Sequence, residues 1–291
     1  TPELPENWMW CHTISPYITG RPAPPYPEVG PMPNKYQETL KLFHKATELD
    51  PKFVDAWFAK GNFYSYYKNK ETWSIPCFDE VIALDPKYEP AWYGKAEAFA
   101  RLRKHKEVIK CCDKAIALLP ADAKARNTDD NDYYFSSRWR IKANALSELG
   151  KHKEAIKCYG EALKIGSTKH GGSAHTLSQK GLTLAKLGKH KEAIKCYDEA
   201  IPMLDYGYEE QEEINLAKAD ALSELGESVS DETPFKCYSS AIRFYTDKLF
   251  DDKHKPVVDI DDWEEGVKKL QEICSQAING LKKYDSKIID E

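Results

Sequence analysis

At 291 residues, with 41% hydrophobic and 31% charged side chains, the chain can bury a core in one or two compact domains or in a single elongated array. It holds no run of about 18 apolar residues, which excludes a membrane-spanning helix. The formal charge of −5 is uneven, with 22 acidic against 11 basic residues from Asp205 onward and a net +6 before it, and this balance argues against a dedicated nucleic-acid binder. The first residue is Thr1 rather than Met, which leaves open a removed or omitted N-terminal segment.

Residues 1–34 form a distinct region. Nine prolines fall there, with Trp8, Trp10, Tyr17 and Tyr26 between them. Proline lacks an amide hydrogen and fixes φ, so the stretch from Arg21 to Pro27 can be neither helix nor central strand. Disordered tails are poor in aromatics. Part of this arm is therefore expected to dock, with Trp8 and Trp10 as anchors; the competing reading is a mobile linker.

Helical periodicity begins at Tyr36. Leu40, Phe43, Ala46 and Leu49 share one face at three- and four-residue spacing. Asp50-Pro51 ends this helix, because a residue before proline avoids the α region. The same ending returns at Asp85-Pro86 and at Leu119-Pro120.

A repeating unit follows. Trp57, Gly61 and Tyr64 fall on one helix, and Phe78, Val81 and Leu84 on the next. The second unit has Trp92, Ala96, Phe99, Val108, Cys112, Ala115 and Pro120. The third has Trp139, Ala143, Leu146, Gly150, Ala155, Tyr159 and Ala162. The fourth has Leu177, Gly181, Leu184, Gly188, Ala193, Tyr197 and Ala200. A looser fifth has Ala219, Leu222, Gly226, Tyr238 and Ala241. Residues 149–162 recur at 187–200 with one difference, Gly160 against Asp198, and residues 102–115 are a weaker third copy. Polar stretches at 121–131, 167–173 and 227–233 interrupt the pattern and are expected to be surface loops. After Lys253, a last helix is expected from Asp261 to about Tyr284, with an apolar stripe of Trp263, Val267, Leu270, Ile273, Cys274, Ala277 and Leu281.

The order of bulky, small, aromatic, turn-glycine, alanine, aromatic, alanine and proline positions resembles the tetratricopeptide repeat family, over about residues 36–245. The resemblance implies an all-α fold, a right-handed α-α superhelix of about five repeats over residues 35–250. The Pro-rich arm of residues 1–34 precedes it, and an acidic linker and capping helix occupy residues 251–291. The residue types have physical reasons. Gly61, Ala96, Ala143 and Gly181 let the A and B helices of a repeat approach, and Gly150 and Gly188 suit a left-handed turn.

Cys77, Cys111, Cys158, Cys196 and Cys237 each precede the B-helix aromatic position. They form a ladder whose rungs are too far apart for disulfides, since packed helices lie about 8–10 Å apart. Free thiols in this number suggest a reducing compartment, hence a cytoplasmic location. His105, His152 and His190 recur between lysines at the start of the B helices. This pattern reads as a solvated face rather than a metal stripe or pH sensor. No phosphate-binding glycine loop, zinc spacing or nucleophile motif occurs, so no enzyme, cofactor or metal is expected.

The resemblance places the A helices on the concave side. Its lining would be Phe58, Asn62 and Tyr66; Tyr93, Glu97 and Arg101; Arg140, Asn144 and Glu148; and Gln179 and Lys186. Aromatic, Arg and Asn side chains on rigid helices suit a partner's extended peptide or helix. One family subtype clamps the C-terminal carboxylate of heat-shock chaperones. Asn62 fits that pattern, but Phe58, Gly94, Ser137 and Ile141 stand where its other ligands would be. The expected function is thus a non-catalytic protein-interaction scaffold. The alternatives are a subunit of a larger assembly held through its N-terminal arm and, less favoured, a nucleic-acid-associated adaptor. Partner identity and oligomeric state are not legible in the sequence.

Overall fold

The computed structural model of the chain describes residues 34–66, 71–119, 129–165, 171–204, 209–226, 233–249 and 260–289. The expectations for the arm, with Trp8 and Trp10, and for the Trp263 side chain lie outside these residues. Among the described residues there are twelve α-helices and no strand. They fall into two compact units, Thr1–Glu148 and Leu149–Glu291. The first holds α1 (Asn34–Leu49), α2 (Val54–Tyr66), α3 (Glu71–Leu84), α4 (Glu89–Arg101), α5 (His105–Leu118) and α6 (Asp129–Glu148). The second holds α7 (His152–Ile165), α8 (Gly171–Lys186), α9 (His190–Ala200), α10 (Glu209–Leu225), α11 (Pro234–Leu249) and α12 (Ile260–Ile289).

Within each unit every helix packs on the next, and the A helices also touch: α2 on α4 and α4 on α6 in the first, α8 on α10 and α10 on α12 in the second. No pair owns a private core. In the second unit one cluster runs from Ala174 on α8 to Ala277 on α12. This is the all-α stacking of helix pairs that a solenoid repeat requires, each pair burying its apolar face on its neighbours.

Local chemistry sets the joints. Asp50 and Asp85 each accept the backbone N–H two residues on, from Lys52 at 3.0 Å and Lys87 at 2.9 Å. These side-chain turns lock the Asp-Pro corners. The indole N–H of Trp57 donates to the Pro51 carbonyl at 3.0 Å, and that of Trp92 to the Pro86 carbonyl at 3.1 Å. The conserved-looking spacing from proline to tryptophan thus ties each corner to the helix that follows. Gly61 and Gly94 face opposite sides of the Phe78 ring, and an added Cβ would come within 2.8 Å and 2.6 Å of it. Gly181 stands 2.5 Å, on the same measure, from the Tyr197 ring. Gly150, Gly188 and Gly226 take φ of 74°, 73° and 71°. Arg103, at the matching position of the weaker copy, has φ 55°. A Cβ there costs about 1–2 kcal/mol.

Three helices begin earlier than composition suggested. α6 starts at Asp129, inside the polar stretch 121–131, α8 at Gly171, inside 167–173, and α12 at Ile260. Asp, Asn and Gly read as loop residues in sequence. In a first turn, however, acidic groups meet the helix dipole favourably, and the unbonded amides tolerate glycine.

One ladder was not evident from the periodicity. A lysine precedes the small A-helix residue in all five repeats: Lys60, Lys95, Lys142, Lys180 and Lys218. Lys95 pairs with Asp79, Lys142 with Asp113 at 2.6 Å and Lys218 with Asp198 at 2.5 Å. In each case the acid is the residue after the preceding repeat's B-helix aromatic position. Lys60 instead meets His44 of α1, at 3.2 Å from Nδ1. Lys180 has Gly160 at the matching place, with open space around a built Cβ. Gly160→Asp is therefore expected to stabilise the second unit by about 0.5–1 kcal/mol, from helix propensity plus a half-buried ion pair. Chemical denaturation measures it. Gly160→Asn, whose helix propensity is close to that of aspartate, isolates the propensity share, and only the aspartate gain should fade at high salt.

The ladder thiols are buried and in no disulfide. Burial pushes Cys77 and Cys111 up to about 11. At neutral pH these are packing groups rather than nucleophiles.

Candidate functional site: the A-helix face of the first unit

Of the eleven sequence-predicted lining residues, Phe58, Asn62 and Tyr66 lie on α2, Tyr93, Glu97 and Arg101 on α4, and Arg140, Asn144 and Glu148 on α6. These three helices pack side by side in one unit. Gln179 and Lys186 lie on α8 in the other unit. The side chain of Tyr66 lies outside the described residues.

The nine do not form a uniform lining. Phe58 is half-buried in the packing between repeats, its ring 6.0 Å from Phe78 and 5.2 Å edge-to-face from Tyr88. Next to it the face turns polar. Tyr93 donates its hydroxyl to Glu97 Oε1 at 2.9 Å, one helical turn on. Arg138 of α6 lays its guanidinium over the Tyr93 ring, 3.9 Å from the centroid. Arg138 is also clamped in a forked pair by Glu89, through Nε at 2.8 Å and an NH2 contact at 3.0 Å. Arg101 donates to the backbone carbonyl of Ser65 and so ties α4 to α2.

The electrostatics follow from this packing. Burial pushes the Glu97 carboxyl above its ordinary value, against the downward pull of the Tyr93 hydrogen bond and of Arg101, Arg138 and Arg140. Burial likewise holds the Tyr93 phenol well above its ordinary value, helped by Glu97. Three guanidinium groups thus act on one carboxyl whose ionisation burial opposes. With Glu89 paired to Arg138, Arg101 and Arg140 are the remaining cations of this cluster, against the carboxyl of Glu97 and, at the end of α6, that of Glu148. Their neighbours are an aromatic ring and the amide side chains of Asn62 and Asn144, half-buried like Arg140.

Sequence reasoning passed over Arg138 and Glu89. The register carried a signal: Arg138 occupies the place held by Ala56, Ala91, Thr176 and Ile214 in the other repeats, all buried. A fully buried arginine where uncharged residues are the rule implies a dedicated partner. His105, His152 and His190 each open a B helix, as expected. They are half-buried rather than simply solvated, and Nδ1 of His152 and of His190 is enclosed with no partner among the described residues. Among the described residues no cluster of three or more His, Cys, Asp or Glu could hold a metal ion. No helix among them is long and apolar enough to cross a membrane.

The family model for the tetratricopeptide repeat matches residues 136–205. Residues 136–205 thus carry tetratricopeptide repeats. Among solved structures the chain is similar to YrrB, described as a tetratricopeptide protein with an unusual peptide-binding site, at 18% identity and TM-score 0.52, covering 70% of this chain and 93% of that one. It is similar to PilW, a widely conserved type IV pilus biogenesis factor, at 14% identity and TM-score 0.54, covering 71% and 84%. BtubC from P. vanneervenii aligns at 13% identity and TM-score 0.56, covering 72% and 88%. At these identities the likeness is one of fold. No curated protein matches the chain. In the tetratricopeptide frame, the arginine-rich cluster belongs to the A helices of the second and third repeats.

Proposed function

We propose that the protein is a non-catalytic interaction scaffold that captures a peptide or helix of a partner protein on the A-helix face of its first unit. Tetratricopeptide repeats generally mediate protein–protein interaction, and a peptide-binding site is described for YrrB. The observation that carries the reading here is the cluster of Tyr93, Glu97, Arg101, Arg138 and Arg140. It is rigid, because Arg138 is held by Glu89 and stacked on Tyr93. It is also polar enough to bond a peptide backbone and positive enough to prefer an acidic segment. The partner is therefore a peptide or helix with acidic side chains beside an apolar one. The free thiols suit a reducing cytoplasm.

Arg140→Glu with Asn144→Ala tests this. A partner recovered with the intact chain should bind the variant at least several-fold more weakly, and more of the loss should appear at low salt than at high. Helical content by circular dichroism should stay unchanged. Equal affinity of variant and parent would refute the assignment.

A further inference from the structure

The first helix carries the register of a B helix. Phe43 is followed eight residues later by Pro51, as Phe78 is by Pro86 and Cys112 by Pro120. His44 receives the α2 lysine at the place where Asp79, Asp113 and Asp198 receive theirs. By this alignment Leu42 is the rung of the cysteine ladder that precedes Cys77. The rungs of the five complete repeats are 4%, 4%, 7%, 6% and 8% exposed, whereas Leu42 is 62% exposed.

In the complete repeats the A helix packs on its B helix, α2 on α3, α4 on α5 and α8 on α9. Cys111 lies in one buried cluster with Ala96 of α4, and Cys196 in one with Leu177 and Leu184 of α8. α1 packs on α2, the A helix of the next repeat, through Phe43, whose ring is 5.6 Å from that of Phe63. Its other side presents Leu42 and, two turns on, Leu49 at 77% exposure, with exposed charges of both signs beside them, Lys41 and Lys45 and Glu38 and Glu48. Two exposed leucines in line on one helix are an unfinished packing face rather than scattered surface residues.

We propose that the aromatic part of residues 1–33, anchored by Trp8 and Trp10, covers this face of α1, in the place that an A helix takes in the complete repeats. Two observations select this occupant. The segment enters α1 directly at Asn34, so it need only turn back along a helix of 16 residues, about 24 Å long. The 24 residues from Trp10 to Asn34, extended at about 3.1 Å each, exceed that reach roughly threefold. Its prolines exclude a regular A helix, so the cover is an extended strand whose indoles fill the space a helix would have taken. This surface is separate from the α4–α6 cluster, so the proposal does not depend on the reading of that site.

The test uses the full chain. Brief chymotrypsin treatment cuts after accessible Trp8 and Trp10. Leu42→Lys with Leu49→Lys should speed this cleavage about tenfold or more. Trp8→Ala with Trp10→Ala should raise amide exchange of residues 34–49 about tenfold, with α8 and α9 unchanged. The second variant changes nothing in the described fold, so it reports even if the lysine variant folds poorly. Unchanged exchange in the tryptophan variant would overturn the proposal. So would a parent chain that sediments as a dimer and becomes monomeric with the lysine variant, since a second copy would then be the cover.

Discussion

Glu89→Ala is expected to destabilise the first unit by about 3–5 kcal/mol, the usual cost of removing one partner from a buried ion pair. Arg138 is fully buried, and Glu89 is the carboxylate that closes its fork. Among the other contacts of Arg138, the Tyr93 ring and the Ser137 hydroxyl at 3.4 Å carry no charge, and Glu97 is shared with Arg101 and Arg140. Water would have to enter between α4 and α6, or the helices would part. Replacing both members, Glu89→Leu with Arg138→Met, should recover most of the loss, because an apolar pair of similar volume carries no desolvation penalty. Recovery should be incomplete, since Glu97 would lose one of its three nearby cations. Urea denaturation of the two singles and the double closes the cycle. A single Glu89→Ala variant within about 1 kcal/mol of the parent would show that the pair is solvated after all.

Gly280→Ala should destabilise the second unit by about 1–3 kcal/mol, the usual range for overpacking a tight site. A Cβ at this position overlaps the Tyr238 hydroxyl and comes within 2.8 Å of the ring carbon bearing it. The phenol cannot simply swing away. Its hydroxyl donates to Asp220 at 2.5 Å, and Asp220 also accepts from the Gln276 amide of α12 at 2.6 Å. The added methyl therefore strains the joint between α10, α11 and α12 at one point. Alanine is the better helix former by about 1 kcal/mol, so propensity alone predicts the opposite sign. A rise in stability would mean that α12 is not seated on Tyr238. Amide exchange along α12 should accelerate in Gly280→Ala, and adding Tyr238→Phe should return part of the protection by removing the overlapped oxygen.

Much of the fold is legible in the residues. The Trp-to-Pro spacing, the small A-helix residues and the turn glycines recur often enough to name the helix pairs, and each is found performing the expected local task. Helix starts were less legible. Asp129 and Gly171 belong to residue types that favour loops and first turns alike, and only the packing of the following helix decides between them. The candidate site was half legible. Spacing put Tyr93, Glu97, Arg101 and Arg140 on the A helices. It could not say that Phe58 would turn into the aromatic packing, or that Arg138 and Glu89 would form the support beneath Tyr93.

The sequence by itself determined that this is an array of helix pairs, because periodicity is a local property and every unit repeats the same local solution. It also placed α1 in the register of a B helix, since Phe43 and Pro51 keep the spacing of Phe78 and Pro86. Only the tertiary structure decided which charges are compensated. An ion pair such as Glu89 with Arg138 joins residues 49 positions apart, and nothing in a period of about 34 residues specifies which turn of one helix lies opposite which turn of another. Burial then sets the direction: three arginines alone would pull the Glu97 carboxyl below its ordinary value, whereas inside the packing desolvation outweighs them and raises it.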